Sequence, residues 1–244
     1  MSLFAALLFV LFASSGVHAD IAEVGGGAER DGVQTMSADD FTDIVLTNGA
    51  TTGDFIAIGG NAYDGGGAPA SIGVTSPCGT FTVLSSSPAG FTRQFIAYTF
   101  AISTGACTVT INPAGGAAYI AAGAVKFTGV HATPLDVDDG ATTGTGFTDT
   151  ASITTVAANA LILSTHTNGT QTTVTLPDGA VTEIAESDDN SCCTAYAFGF
   201  RIVTTPGAYD MTWGTADDVA WRMHTASFAP AAAGGVARRR AVIQ

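Results

Sequence analysis

The sequence predicts an all-β protein, an antiparallel two-sheet β-sandwich built from two similar halves. Three observations carry that prediction. Helical periodicity is almost absent after the first nineteen residues. Short runs of Val, Ile, Thr, Phe and Tyr recur between clusters of Gly, Pro, Asn and Asp. One strand–turn–strand phrase is written twice, as FAISTGACTVTI at 100–111 and FRIVTTPGAYDMTW at 200–213. Many short strands with regular turn signals indicate a sandwich or a barrel.

The N-terminal stretch MSLFAALLFVLFASSGVHA, residues 1–19, holds an apolar run from Leu3 to Ala13 followed by small residues. Val17 and Ala19 stand three and one positions before a cut ahead of Asp20. This reads as a secretory signal peptide, too short to span a bilayer. The region ahead of the apolar run carries no Lys or Arg, and the alternative is an uncleaved apolar arm. No later stretch approaches about 18 uninterrupted apolar residues, so no membrane span is expected in the mature chain.

Residues 20–228 are long enough for one domain, with halves at about 40–128 and 150–228. Strands are expected near 42–47, 54–59, 70–75, 79–85, 93–103, 106–112 and 117–128. The second group lies near 150–156, 159–166, 172–176, 180–185, 193–204, 207–213 and 218–228. RQFIAYTFAIS and CTAYAFGFRIV alternate apolar and polar residues, as half-buried antiparallel strands do. ALILS is more continuously apolar and suits a strand inside the sandwich.

Aligning Phe100 with Phe200, and placing Thr205 and Pro206 as an insertion in the turn, makes six of twelve pairs identical. The match extends outward: GDFIAIGG answers to NALILSTH, GTFTVLSS to GAVTEIAES, and AAYIAAGAVKFTG to DVAWRMHTASFAP. Each half is then an open antiparallel set with one apolar face, and the two bury those faces on each other. Residues 129–150 are rich in turn formers and are expected to cross between the halves. Residues 229–244 read as a flexible tail carrying the basic run Arg238–Arg240. That run suits a solvated tail, a dock on an acidic neighbour, a nucleic-acid contact or a processing site.

Charge narrows the partners. There are 21 acidic and 8 basic residues, for a net charge of −13, and Lys126 is the sole lysine. Such a surface disfavours nucleic acid and anionic membranes. Four cysteines, Cys78, Cys107, Cys192 and Cys193, fit an exported protein, and three pairings are open. Cys78 and Cys107 each begin a strand, where a cross-strand bridge could form, while Cys192 and Cys193 are adjacent.

A closing strand, TPLDV, a Gly/Thr-rich stretch, TTVAANALIL, FRIVTTPGAYDMTW and a last strand ending ASFAP follow in that order, with GDFIAIGG upstream. This succession resembles a family of jelly-roll-like β-sandwich domains found in secreted bacterial surface proteins and some bacteriophage structural proteins. The resemblance covers roughly residues 40–230 and rests on strand patterns without a catalytic signature. It implies a lectin-like fold used for display, adhesion or assembly, and no agreed enzymatic activity. The paired cysteines and the basic tail depart from the family's pattern.

The chemistry-bearing residues are few. No G-x-S-x-G, H-E-x-x-H or P-loop lysine is present. His131, His166 and His224 are scattered and are expected at the surface or rim, with His166 and His224 near each other only if their strands pair. The Gly-rich 58–70 lacks a basic residue to hold an anion, so it reads as an apex loop.

Asp136, Asp138 and Asp139 put three carboxylates in four residues, a candidate calcium loop, with a solvated acidic loop as the alternative. Glu183, Glu186, Asp188 and Asp189 form a second acidic stretch. Trp213 and Trp221 are expected in the core, since Trp213 aligns with Ile111, rather than stacked on sugar rings.

The expected function is a secreted or surface-displayed, non-enzymatic structural or adhesive protein, in the manner of a filament or virion surface subunit. Its expected partners are copies of itself, other surface proteins or glycans, with no nucleic acid. The alternatives are a carbohydrate-binding module or carbohydrate-active enzyme, and a calcium-dependent adhesion module.

Overall fold

The computed structural model describes residues 19–26, 31–35, 42–87, 92–115, 119–168, 174–175, 180–187 and 195–232. Residues 1–18, Cys192, Cys193, Asp188, Asp189 and residues 233–244 of the expected tail lie outside these residues, while Ala229 and Pro230, expected in that tail, close the last strand. The described chain is all-β, with antiparallel pairing throughout and no α-helix.

In chain order the strands of the first half are β1 (Ala22–Glu23), β2 (Asp31–Thr35), β3 (Thr42–Val45), β4 (Phe55–Tyr63), β5 (Ile72–Thr75), β6 (Thr82–Ser86), β7 (Arg93–Phe100), β8 (Thr108–Pro113) and β9 (Tyr119–Thr128). The second half holds β10 (Val130–Thr155), β11 (Ala160–Asn168), β12 (Val174–Thr175), β13 (Thr182–Ser187), β14 (Tyr196–Val203) and β15 (Gly207–Pro230). They form three sheets. One runs β1-β9-β4-β7-β6, with β2 also on β9, and a second runs β10-β15-β11-β14-β13, with β12 also on β15. A small third sheet runs β3-β8-β5.

The two large sheets repeat one strand order, β9-β4-β7-β6 in the first and β15-β11-β14-β13 in the second. Register refines the correspondence. Phe55 faces Phe127 on one side and Phe100 on the other, while Leu161 faces Phe228 and Ile202. Phe127 and Phe228 therefore match as the sequence alignment has them. The hairpin alignment is corrected, because Phe100 corresponds to Ile202, two residues beyond Phe200. A shift of two keeps every strand side chain on its original face, so similarity of pattern cannot detect it.

A second correction concerns 129–150. This stretch is strand, the first part of the 26-residue β10, which pairs with the 24-residue β15 as one long ribbon. Gly, Asp and Pro lower its strand signal, but the interleaved threonines are β-branched and suit a pleated surface. Register shifts between Val130 and Leu135, Leu135 and Val137, Asp138 and Gly140, and Gly146 and Thr148 absorb the irregular residues. Likewise Ile58–Tyr63 of the expected apex loop belong to β4. The turn proper is at Asp64, whose Oδ1 accepts from Gly66 N at 2.8 Å and Gly67 N at 2.6 Å.

Three apolar layers hold the sheets. Between the two large sheets lie Phe55, Tyr98 and Phe127 from the first and Leu161, Phe198, Phe200 and Phe228 from the second. Their rings meet across the gap, with centroids 5.2 Å apart for Phe55–Phe228 and 5.1 Å for Phe127–Phe200. The other face of the first sheet packs Ile56, Ile58 and Phe95 against Ile44, Val109 and Ile111 of the third. A disulfide joins the buried Cys78 and Cys107 in that layer. The outer face of the second sheet carries Ile162, Met211, Trp213, Trp221 and Met223.

With both faces covered, β4 and β11 are buried along almost their whole length, which explains their continuous apolar runs. Gly59 shows how close the large sheets come, since a Cβ there would overlap the Phe198 ring.

Candidate functional site

The space between the large sheets changes character along the strands. Beyond the aromatic block, the first sheet places Ser86, Gln94 and Asn61 side by side on β6, β7 and β4. The second sheet answers with Thr165 beside His224 and Thr167 beside Arg222. Polar bonds now cross the gap. Asn61 Nδ2 donates to Thr167 Oγ1 at 2.9 Å, and the Tyr196 hydroxyl donates to Gly59 O at 2.5 Å. Complete burial pushes the Tyr196 hydroxyl pKa well up, so it remains a donor.

At the β6 edge of this polar end stands a three-residue chain. Ser86 Oγ lies 2.8 Å from His224 Nδ1, and His224 Nε2 lies 2.9 Å from Asp138 Oδ1. His224 is 1% exposed, whereas the Asp138 side chain is 35% exposed. Ser86 is half-buried. The hydrogen bond from His224 is the largest influence on Asp138, and it holds the carboxyl below the usual carboxylate range against the opposing effect of desolvation. Gly140 N adds a second hydrogen bond to the same oxygen at 3.1 Å. Asp138 reaches His224 because β10 is strand here and sets Asp138 opposite Ala226 of β15.

Towards the other end of β6 and β7, past Thr82 and Tyr98, the gap opens as a groove of about 560 Å³ between the β6–β7 edge and the start of β10. Thr82, Tyr98, Phe100 and Ile102 form one side, and Thr133 and Leu135 the other. None of its lining residues carries a charge, in a chain whose net charge is −13. Ile102 is 71% exposed and Leu135 40%, so apolar side chains stand at its mouth.

His166 sits on the opposite face of the second sheet. Thr165 pairs with His224 and His166 with Met223, so the two histidines are one residue out of step on neighbouring strands and point apart. His166 Nε2 meets Asp149 Oδ2 at 2.5 Å, with both side chains fully enclosed. Trp213, opposite Asp149 in register, has its ring centroid 6.2 Å from His166. The expectation of surface or rim histidines is thus corrected for His166 and His224. Each is buried and bonded to an aspartate that the strand pairing delivers from β10.

The calcium candidates separate. Asp136 Oδ2 accepts from Val156 N at 2.9 Å and Ser227 Oγ at 3.2 Å, Asp138 bonds to His224, and Asp139 is exposed. Among the described residues no three His, Cys, Asp or Glu side chains gather where they could hold a metal ion. Trp213 and Trp221 are buried, as expected of core aromatics. Sequence reasoning missed Ser86, one of three serines in a row, because only the β6–β7 register shows which of them turns inward.

Compared with known proteins, the chain matches no family model, no curated protein and no solved structure.

Proposed function

We propose that this is an exported β-sandwich recognition protein, displayed outside the cell, that binds a neutral ligand of the glycan type in the groove between β6–β7 and β10. The uncharged lining of that groove is the observation that carries the reading. Threonine hydroxyls offer hydrogen bonds to a polyhydroxylated ligand, and Tyr98, Phe100 and Leu135 offer apolar surface for a sugar ring. Its volume lies within the range of small-ligand sites, and an acidic protein would repel anionic ligands from an open cleft. The Cys78–Cys107 disulfide suits an oxidising compartment, in keeping with the signal-like N-terminus. The two large sheets, with aromatic rings meshed between them, suit the jelly-roll-like sandwich that the sequence resembles.

A glycan array tests this reading, using the mature chain beside a Leu135→Asp variant. Binding of a neutral glycan, lost when a charge enters the groove, is the expected result. An array with no bound glycan overturns it.

Assembly of identical subunits is the second reading, favoured by Val45, 64% exposed on β3 at the edge of the third sheet. An apolar residue on an edge strand invites strand addition from another copy. Electron microscopy of the purified chain separates filaments from monomers.

A further inference from the structure

Asp138, held ionised by its hydrogen bond from His224, has no proton to give, so the proton between them belongs to His224 Nε2. In the neutral ring, Nδ1 then presents a bare lone pair. The atom it faces is Ser86 Oγ at 2.8 Å, which must donate. The two ring nitrogens exchange the places they hold in serine proteases, but the role of each is set by the acid partner and not by its label.

We propose that Ser86 is a nucleophile activated by His224 and oriented by Asp138, and that the protein cleaves acyl esters of neutral ligands lying along β6. Thr82, Leu84 and Ser86 share one face of β6, and Thr82 lines the uncharged groove. Two same-face steps put Ser86 about 13 Å along the strand from Thr82, so an extended O-acylated glycan seated in the groove would reach it. This substrate class rests on the groove reading, whereas the reactivity of Ser86 does not. Among the described residues β6 ends its sheet, so Ser86 stands at an edge strand rather than inside the sheet.

The step balances with water as the only co-reactant. Ser86 Oγ bonds to the ester carbonyl carbon while its proton passes to His224 Nδ1. The carbon–oxygen bond to the leaving alcohol then breaks, and that alcohol departs with the proton. Water attacks the acyl-serine by the same path, releasing the carboxylic acid and restoring the Ser86 hydroxyl.

A fluorophosphonate probe on the folded full chain, followed by intact mass and peptide mapping, is the test. The expected result is one adduct on Ser86, absent in Ser86→Ala and formed about 10²- to 10⁴-fold more slowly in Asp138→Asn. The wild-type labelling rate should also fall in acid, as activation of a serine by a general base requires. Thermal melts identify any variant that fails to fold, and the wild-type pH profile decides in that event. No adduct on Ser86, or a rate indifferent to both pH and Asp138→Asn, overturns the proposal. Labelling of Ser86 with an empty glycan array keeps the activated serine and removes the groove reading together with the substrate class drawn from it.

Discussion

His166 and His224 lie on neighbouring strands of one sheet and each bonds to an aspartate of β10, yet they occupy opposite kinds of place. The Asp149–His166 pair is sealed, with neither side chain exposed. His166 Nδ1 and Asp149 Oδ1 have no hydrogen-bond partner among the described residues, and neither does the nearby Trp213 Nε1. His224 has both nitrogens engaged, and its aspartate is partly in water. A buried polar pair without outlets is a structural commitment, since nothing can reach it and removing either half strands the other. A pair with one end at an open edge keeps a route for a ligand or a proton. The same two residue types thus serve stability on one face of the sheet and offer chemistry on the other.

The contrast can be broken most directly at Asp149. Asp149→Ala should cost about 3 kcal/mol or more in urea unfolding, because His166 is left enclosed without its acceptor. A loss below about 1 kcal/mol would mean that the pair is not the sealed unit described.

Gly59→Ala should come next, at about 1–3 kcal/mol, because the added methyl meets the Phe198 ring where the two large sheets approach. Full stability in that variant would show that the gap can open, and the distinction between sealed and open ends would weaken.

Acid titration sharpens the other end. Asp138 has its folded-state pKa lowered, chiefly by the bond from His224. Its contribution is complete above the ordinary carboxylate pKa, and it is lost as the pH falls through that value towards the lower folded one. Asp138→Asn should remove this portion of the acid-dependent loss, seen as a flatter stability curve in the acidic range. Partial solvent exposure keeps the effect modest.

Ser86→Ala should be the mildest change, about 1 kcal/mol or less in a melt, since it deletes one hydrogen bond at a half-buried edge. A large loss there would recast Ser86 as a staple between the sheets.

Much of the fold was legible beforehand. The continuous apolar run ALILS announces a strand because burial on two faces writes its own pattern, whereas RQFIAYTF, expected to be half-buried, is covered on both faces as well. The candidate site was hardly legible at all. Ser86, Asp138 and His224 are 52 residues or more apart in the chain and fit no spacing motif, so nothing local ties them together. Composition also misled at 129–150, where Gly and Asp suggested turns and bulges accommodated them within a strand.

The sequence by itself determined the class of this protein: β-rich, acidic, with two halves of similar strand order and cysteines suited to an oxidising setting. Residue type and period are local properties, and they survive without knowledge of partners. Only the tertiary structure decided which histidine met which aspartate, which serine turned inward, and where the gap between the sheets stayed open. Strand register makes those choices. A slip of one residue reverses every side chain and a slip of two reverses none, so one misplaced residue would hide the site while leaving the pattern intact.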